Sequence, residues 1–407
     1  MKFHKELFKG SIILIIAFNL YNLLNFLFQF LMARLLSLAE YAVLSALFSF
    51  IYLSSLFSEP IQTVITKYSA TEKDSSKIKN LIIRYLRKTF RVSFFIFLLF
   101  TILSIPLSNI IKIPLILLIL TGFIISFSLI LPVNRGILQG KKRFFSLGFN
   151  LVLESFLKII LAVIFIFLGW KIFGAIIAVI LSLIFAFLFA FFSLRDIMKS
   201  TESKYETGDI FNYSLPVFIS TFSITAFFSL DVLIAKIIFS DIIAGSYAIA
   251  SILGKIVFFG TSPIVKTMFS FSSENHEKLK ESKNILLNSL LIIIPLLVAY
   301  VFLCLFFSDF IVTFFSGRVI PEASNILFYL AIAFSLLSLT NLFILYKLSI
   351  KKTKKSWIYL TFIITQIILL FIFSANLIEF SIALIFASAI FLLYLVITLG
   401  LWSREIN

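Results

Sequence analysis

The sequence predicts an all-α integral membrane protein of about twelve transmembrane helices, arranged as two six-helix bundles. Three observations predict it. Apolar residues make up 61% of the 407 positions and charged residues 13%, against about 45–50% and about 25% in soluble domains. Apolar runs of about 20 residues, the length that crosses a bilayer, recur along the whole chain. Lys and Arg divide 28 to 5 between alternate intervening segments, the asymmetry that marks a cytoplasmic face.

Taken in order, the runs lie at 11–33, 41–60, 92–111, 113–133, 147–168 and 172–193, then at 212–230, 243–262, 284–307, 323–346, 356–374 and 378–402. The first follows Lys2, Lys5 and Lys9 and invites reading as a signal peptide. It is too long for a signal core and ends in Met32-Ala33-Arg34 without a small-x-small cleavage site, so it is read as a retained helix. With the N-terminus in the cytoplasm, the basic segments 62–91, 134–146, 194–211, 263–283 and 347–355, together with Arg404, all fall inside. Arg34, Lys112, Lys171, Lys236 and Arg318 fall outside. Both termini are then cytoplasmic in a multi-pass protein of the cytoplasmic (inner) membrane. Anionic headgroups account for the net charge of +16 without nucleic acid. Trp170, Trp357 and Trp402 sit at span ends, where an indole suits headgroup depth.

Several chemistries are excluded. Cys304 is alone, so no disulfide or thiol metal cage forms. His4 and His276 fall in separate polar segments, and no Gly-rich loop ending in Lys-Ser/Thr is present to bind ATP. No cofactor is implied.

The chain also repeats. Arg34 and Lys236 stand in related contexts at an offset of 202, Pro60 and Pro263 at 203, and Asn134 and Asn341 at 207. Halves 1–203 and 204–407 with six spans each share one orientation, because six is even. They are therefore parallel repeats about an axis along the membrane normal, an arrangement with which transporters build a central cavity.

Three stretches carry a family resemblance: Ala33 to Ser45 (ARLLSLAEYAVLS), Asn134 to Gly148 (NRGILQGKKRFFSLG), and Asp231 to Lys255 (DVLIAKIIFSDIIAGSYAIASILGK). They resemble the polysaccharide-export, O-antigen flippase-like branch of the multidrug/oligosaccharidyl-lipid/polysaccharide (MOP) exporter superfamily. The resemblance implies a MATE-like fold, two six-helix bundles about a cavity, and transfer of a polyprenyl-linked oligosaccharide between leaflets. Glu59-Pro60 departs from the small residue expected at the end of the second span.

Polar groups within the spans are the candidate site, since an ionisable group at mid-bilayer costs about 2.5–3.5 kcal/mol on insertion scales. Glu154 and Lys158 stand at i, i+4 in the fifth span. They form either a self-neutralising helical pair or a site in which Lys158 meets a pyrophosphate or acidic sugar and Glu154 carries a coupling proton. Lys255 has no acid one turn away and needs a partner from another helix or a wet cavity; it is read as a substrate-binding cation that meets the cargo's pyrophosphate, with a structural counter-ion to a buried acid as the alternative. Arg34 and Asp231, at outer span ends, are read as structural and able to snorkel. Arg135 borders the inner mouth, as a headgroup anchor or a contact for a lipid phosphate. Asn19, Asn22, Asn25 and Gln29 fall within an arc of about 120° of the first helix, given about 100° per residue. Such a polar stripe is interhelical glue or cavity lining. The seventh span carries Ser214, Ser220, Thr221, Ser223 and Thr225 at the matching place, with Pro216 as a bend.

The reading these residues favour is a flippase for lipid-linked oligosaccharide, embedded among membrane lipids and coupled to H+ or Na+. A cation-coupled small-molecule or drug exporter of the same fold is the alternative. A membrane glycosyltransferase is disfavoured, because acids in the outer loops are scattered singly.

Overall fold

A computed structural model describes residues 2–205, 215–274, 279–352 and 355–399. His276, Ser214, Trp402 and Arg404 lie outside them, as does the side chain of His4. The described residues form helices and no strand. Two compact units divide the chain, Met1–Asn212 and Tyr213–Asn407.

The first unit contains α1 (Lys2–Leu35), α2 (Leu38–Thr71), α3 (Ser75–Ile111), α4 (Leu115–Ser128), α5 (Leu131–Gly140), α6 (Phe144–Phe165), α7 (Lys171–Phe192) and the short α8 (Arg195–Met198). The second contains α9 (Leu215–Ile238), α10 (Asp241–Gly254), α11 (Ile256–Glu274), α12 (Leu279–Phe306), α13 (Ser308–Ser316), α14 (Pro321–Ser349), α15 (Tyr359–Ile372) and α16 (Leu377–Leu399). Ten segments are long and apolar enough to cross a membrane. One of them, Phe144–Phe192, is 49 residues long, turns at Gly169, and folds α6 back on α7. Gly169 has φ 86°, which glycine adopts without a Cβ penalty. Counting its two arms and the shorter apolar Ser356–Ile372, the described residues hold twelve crossings, as the hydropathy pattern predicts. The protein is multi-pass.

One expectation needs correction. The basic segment 62–91 is not a loop but the extended ends of α2 and α3, joined only through residues 72–74. Ile65, Ile78, Leu81 and Ile82 recur among its charges and are buried against Val133, Ile137, Leu138, Leu147, Leu194 and Ile197. Asp74 caps α3 by accepting from the Ser76 amide at 2.9 Å, a donor the helix itself leaves unpaired. Burial of one apolar stripe outweighed the charge density that suggests a loop. Pro60, expected to mark a span end, lies inside the continuous α2.

Close approach of α5 to α2 depends on two glycines four residues apart. A Cβ on Gly136 would sit 2.8 Å from the Gln62 carbonyl oxygen, and one on Gly140 2.0 Å from Ser69 Oγ and 2.6 Å from the Thr66 carbonyl oxygen. Small residues at this spacing let membrane helices touch backbone to backbone. Polar bonds fill the seam: Gln62 Nε2 donates to Gln139 Oε1 at 2.8 Å, and Thr66 Oγ1 donates to the Gly136 carbonyl at 3.2 Å. The motif at 134–148 is therefore a packing device as well as a carrier of Arg135.

Candidate functional site

In the first unit, Arg135 leaves α5 toward α6. Its Nε donates to Asn150 Oδ1 at 2.7 Å and its Nη2 to Glu154 Oε2 at 2.5 Å. Asn150 in turn donates to the Ala186 carbonyl of α7 at 2.6 Å, so three helices hold the ion pair. One turn on, the buried Lys158 ammonium donates to Asn25 Oδ1 on α1 and lies 4.8 Å from the centre of the Phe28 ring. Asn25 Nδ2 is tied to the Tyr21 carbonyl of its own helix. Deeper in the contact between α1 and α2, the Tyr41 hydroxyl donates to Gln29 Oε1 at 3.4 Å.

These distances correct two expectations. Glu154 and Lys158 are not a self-neutralising pair: the carboxylate is taken by Arg135, and no bond joins it to Lys158. Arg135 is not a headgroup anchor, because its guanidinium turns inward to Glu154. Spacing along one helix could not reveal this, since the competing cation comes from α5.

In the second unit, Asp231 on α9 is completely buried. It accepts from Lys255 Nζ at 2.9 Å, Ser251 Oγ at 2.6 Å and the Tyr247 hydroxyl at 3.2 Å. Lys255 caps the C-terminal end of α10 at the break before α11, and its ammonium lies 4.7 Å from the Phe228 ring centre and 5.0 Å from that of Phe334. Such cation–π contacts contribute most where water is excluded. Beside the break, the Tyr300 hydroxyl of α12 donates to the Leu253 carbonyl at 2.5 Å. Reading Asp231 as a snorkelling residue at a span end is thus overturned, because α9 continues to Ile238 and carries it well inside the unit. Lys255, expected to meet a substrate pyrophosphate, instead has its charge taken by Asp231 of another helix, the counter-ion alternative. Lys236, expected in an outer loop, is buried on α9 and paired with Asp241 at 2.5 Å.

Of the amide stripe, Asn19 and Asn22 are exposed, Asn25 is half-buried and Gln29 is buried. Asn19 bonds the Ile15 carbonyl of its own helix at 2.8 Å. In the seventh span, Ser220, Thr221 and Ser223 each donate to a carbonyl one turn back on their own helix, so their hydroxyls are occupied locally. Sequence reasoning missed Asn150, Tyr247 and Ser251 as partners. The signal for the last two was present: Tyr41 and Ser45 in the first half are matched by Tyr247 and Ser251 in the second. Among the described residues no three His, Cys, Asp or Glu side chains gather to hold a metal.

Comparison with known proteins places this geometry in a family. Residues 7–269 match the family described as polysaccharide biosynthesis protein. An uncharacterized membrane protein of Methanocaldococcus jannaschii is 26% identical over 346 residues, covering 81% of each chain. Among solved structures, the inward-facing form of a multidrug resistance MATE family transporter of the MOP superfamily aligns with a TM-score of 0.75. That alignment covers 95% of this chain and 96% of the other at 17% identity. The inward closed conformation of the lipid II flippase MurJ aligns with a TM-score of 0.70 at 19% identity, covering 96% of this chain and 87% of that one. By sequence this chain belongs to the polysaccharide biosynthesis protein family, and its fold is MATE-like.

Proposed function

We propose that the chain is a flippase, not an enzyme, that moves a polyprenyl-linked oligosaccharide across the cytoplasmic membrane by ion-coupled alternating access, with both termini in the cytoplasm. Family membership supports the polysaccharide part of this reading. One observation carries the transport part: a membrane helix, α1, exposes Asn19 and Asn22 on the same side from which Asn25 reaches Lys158. Amides bared to hydrocarbon are costly, so this face borders water or a polar cargo.

Within that reading the cations differ in what they can offer. Arg135 and Lys255 are each neutralised by a carboxylate at hydrogen-bond distance. Among the described residues, Lys158 has a neutral amide and an aromatic face as its direct partners. Its positive charge is therefore the one best placed to meet a pyrophosphate, with Asn19, Asn22 and Asn25 along the path of the sugar headgroup, whereas Gln29 is buried and bonded to Tyr41. Glu154 and Asp231 are the buried acids that a coupling proton would have to reach, and protonation would release Arg135 or Lys255.

The test is a proteoliposome assay with a fluorescent oligosaccharide on polyprenyl pyrophosphate, read by how fast the headgroup becomes accessible. A charge-assisted contact of about 1.5–3 kcal/mol predicts that Lys158→Gln slows flipping by about ten- to a hundredfold while leaving the unfolding midpoint unchanged. Lys158→Arg should keep part of the activity. A Lys158→Gln protein that flips the substrate at the wild-type rate overturns the assignment. Wild-type protein that never moves it, yet exports a small organic cation, overturns the flippase reading.

A further inference from the structure

The two units end their fourth crossings with the same turn. Arg143 N bonds the Leu138 carbonyl at 2.8 Å over Lys142 at φ 56°, and Lys352 N bonds the Lys347 carbonyl at 2.9 Å over Lys351 at φ 57°. This is the six-to-one closure of a helix C-terminus over a left-handed residue. It sets an offset of 209 between the units here. By that offset Arg143 matches Lys352, and Arg195-Asp196-Ile197 matches Arg404-Glu405-Ile406.

In the first unit the cations of this turn are satisfied by the protein itself. Arg143 pairs with Asp196 and also donates to the Ser193 carbonyl, while Lys141 Nζ donates to the Glu72 carbonyl at 2.8 Å. The sequence offers Glu405 as the counterpart of Asp196, and so as an acid for Lys352. It offers none for Lys347, whose counterpart is Leu138 in an apolar core.

Lys347 is buried all the same. Its ammonium donates to Thr398 Oγ1 at 2.9 Å and lies 5.9 Å and 5.7 Å from the ring centres of Tyr359 and Tyr394. The Tyr394 hydroxyl is buried with no hydrogen-bond partner among the described residues. No described carboxylate pairs with Lys347. A leucine site has thus become a buried ammonium between two aromatic rings, beside an idle hydroxyl donor. Beside it, Phe386, Ile390, Leu393 and Ile397 form one exposed apolar stripe along α16, and Trp357 is exposed at the start of the next crossing. Anion chemistry next to an apolar strip fits an amphiphile.

We propose that Lys347 and the Tyr394 hydroxyl seat a lipid-borne phosphate at the end of the second unit, with the acyl or prenyl chain lying along the α16 stripe. The proposal is independent of transport and of the Lys158 site.

The test uses the purified full chain in neutral detergent, with thermal unfolding and native mass spectrometry as readouts. The probes are phosphatidic acid, polyprenyl phosphate, phosphatidylcholine and inorganic phosphate. The two anionic lipids should raise the unfolding midpoint, whereas phosphatidylcholine and inorganic phosphate should not. Which anionic lipid binds more tightly tells bilayer lipid from glycan carrier. Lys347→Leu restores the residue that the first unit uses at this turn, and should abolish the midpoint rise. Lys347→Gln, the variant for use if leucine fails to fold, should weaken binding about five- to tenfold, the scale of one lysine near a headgroup. Tyr394→Phe should weaken it less, and Glu405→Gln should leave it intact. The proposal is overturned if Lys347→Gln binds anionic lipid as wild type does, or if inorganic phosphate stabilises as well as lipid. It is also overturned if Glu405→Gln alone lowers the lipid-free midpoint as much as Lys347→Leu, which would make the chain's own tail the anion.

Discussion

The Asp231–Lys255 pair can be dissected by a double-mutant cycle, because the structure gives each partner a different fallback. Asp231→Asn strands the Lys255 ammonium in a dry site, where losing one member of a buried pair costs about 3–5 kcal/mol. The faces of Phe228 and Phe334, at 4.7 and 5.0 Å, remain to offset part of it, each contributing up to about 2 kcal/mol when desolvated. Lys255→Met leaves Asp231 with two donors, Ser251 at 2.6 Å and Tyr247 at 3.2 Å, each a hydrogen bond to a charged group worth about 1.5–3 kcal/mol. Both single variants should therefore lose about 2–3 kcal/mol, less than the usual cost of a broken pair because the fallback contacts offset part of it. The double variant Asp231→Asn/Lys255→Met removes both charges and should lose less than the sum, with a coupling of about 1–3 kcal/mol. Thermal unfolding in detergent reads the singles as drops of about 4–12 °C. Losses that simply add in the double variant would refute the claim that the two charges act as one unit.

The α2–α5 seam predicts that Gly140→Ala destabilises the first unit by about 1–3 kcal/mol through overpacking, since the new Cβ would meet the Thr66 carbonyl at 2.6 Å; wild-type unfolding in that variant would show the seam to be loose. Replacing Asn22 and Asn25 together by Leu should preserve membrane insertion but reduce headgroup transfer, and unchanged transfer at equal protein levels would return both to a packing role. The Asp196 carboxyl is held below the usual carboxylate range, chiefly by its hydrogen bond from Arg143. The clamp on the segment after α7 is therefore fully present above about pH 4, the ordinary Asp value, and is lost as pH falls through the lower folded value. Because the pair is largely exposed, it contributes only about 0.2–1 kcal/mol. Asp196→Asn at neutral pH should raise proteolysis near residue 196 by less than about tenfold, and identical cleavage at every pH would show that the clamp does not hold the segment.

Hydropathy made the twelve crossings legible because a bilayer imposes one length on every helix. It did not reveal how far the helices extend beyond that length. In 62–91 the sparse apolar set of Ile65, Ile78, Leu81 and Ile82 is diluted by basic residues that a helix can carry on its other side. The charged residues of the candidate site could be named from cost alone, since each mid-membrane charge demands a reason. Their partners could not. Arg135 reaches Glu154 across 19 positions of sequence and Lys255 reaches Asp231 across 24. Only packing decides which of several acids and bases meet, and Glu154 with Lys158 shows that the nearest pair along a helix can be the wrong one. The amide stripe was half legible. Periodicity put four amides on one side of α1, while burial separates Gln29, which serves Tyr41, from the exposed Asn19 and Asn22.

The internal repeat shows where one ancestral arrangement has been given two uses. In both units a second-crossing tyrosine, with a serine one turn on in the sequence, bonds a polar residue of the first crossing: Tyr41 bonds Gln29, and Tyr247 together with Ser251 bonds Asp231. The first copy is neutral throughout. The second has an acid in place of the amide and adds Lys255 at a helix break to balance it. A neutral network already satisfies the tyrosine, so stability gives no reason to bury two charges, whose desolvation offsets most of their attraction. The same asymmetry recurs at the ends of the fourth crossings, where Leu138 in one copy is Lys347 in the other. Charges thus enter the second unit at positions where the first shows that the fold can do without them. That pattern argues for a role in binding or switching, because a purely structural role would be met equally well by the uncharged copy.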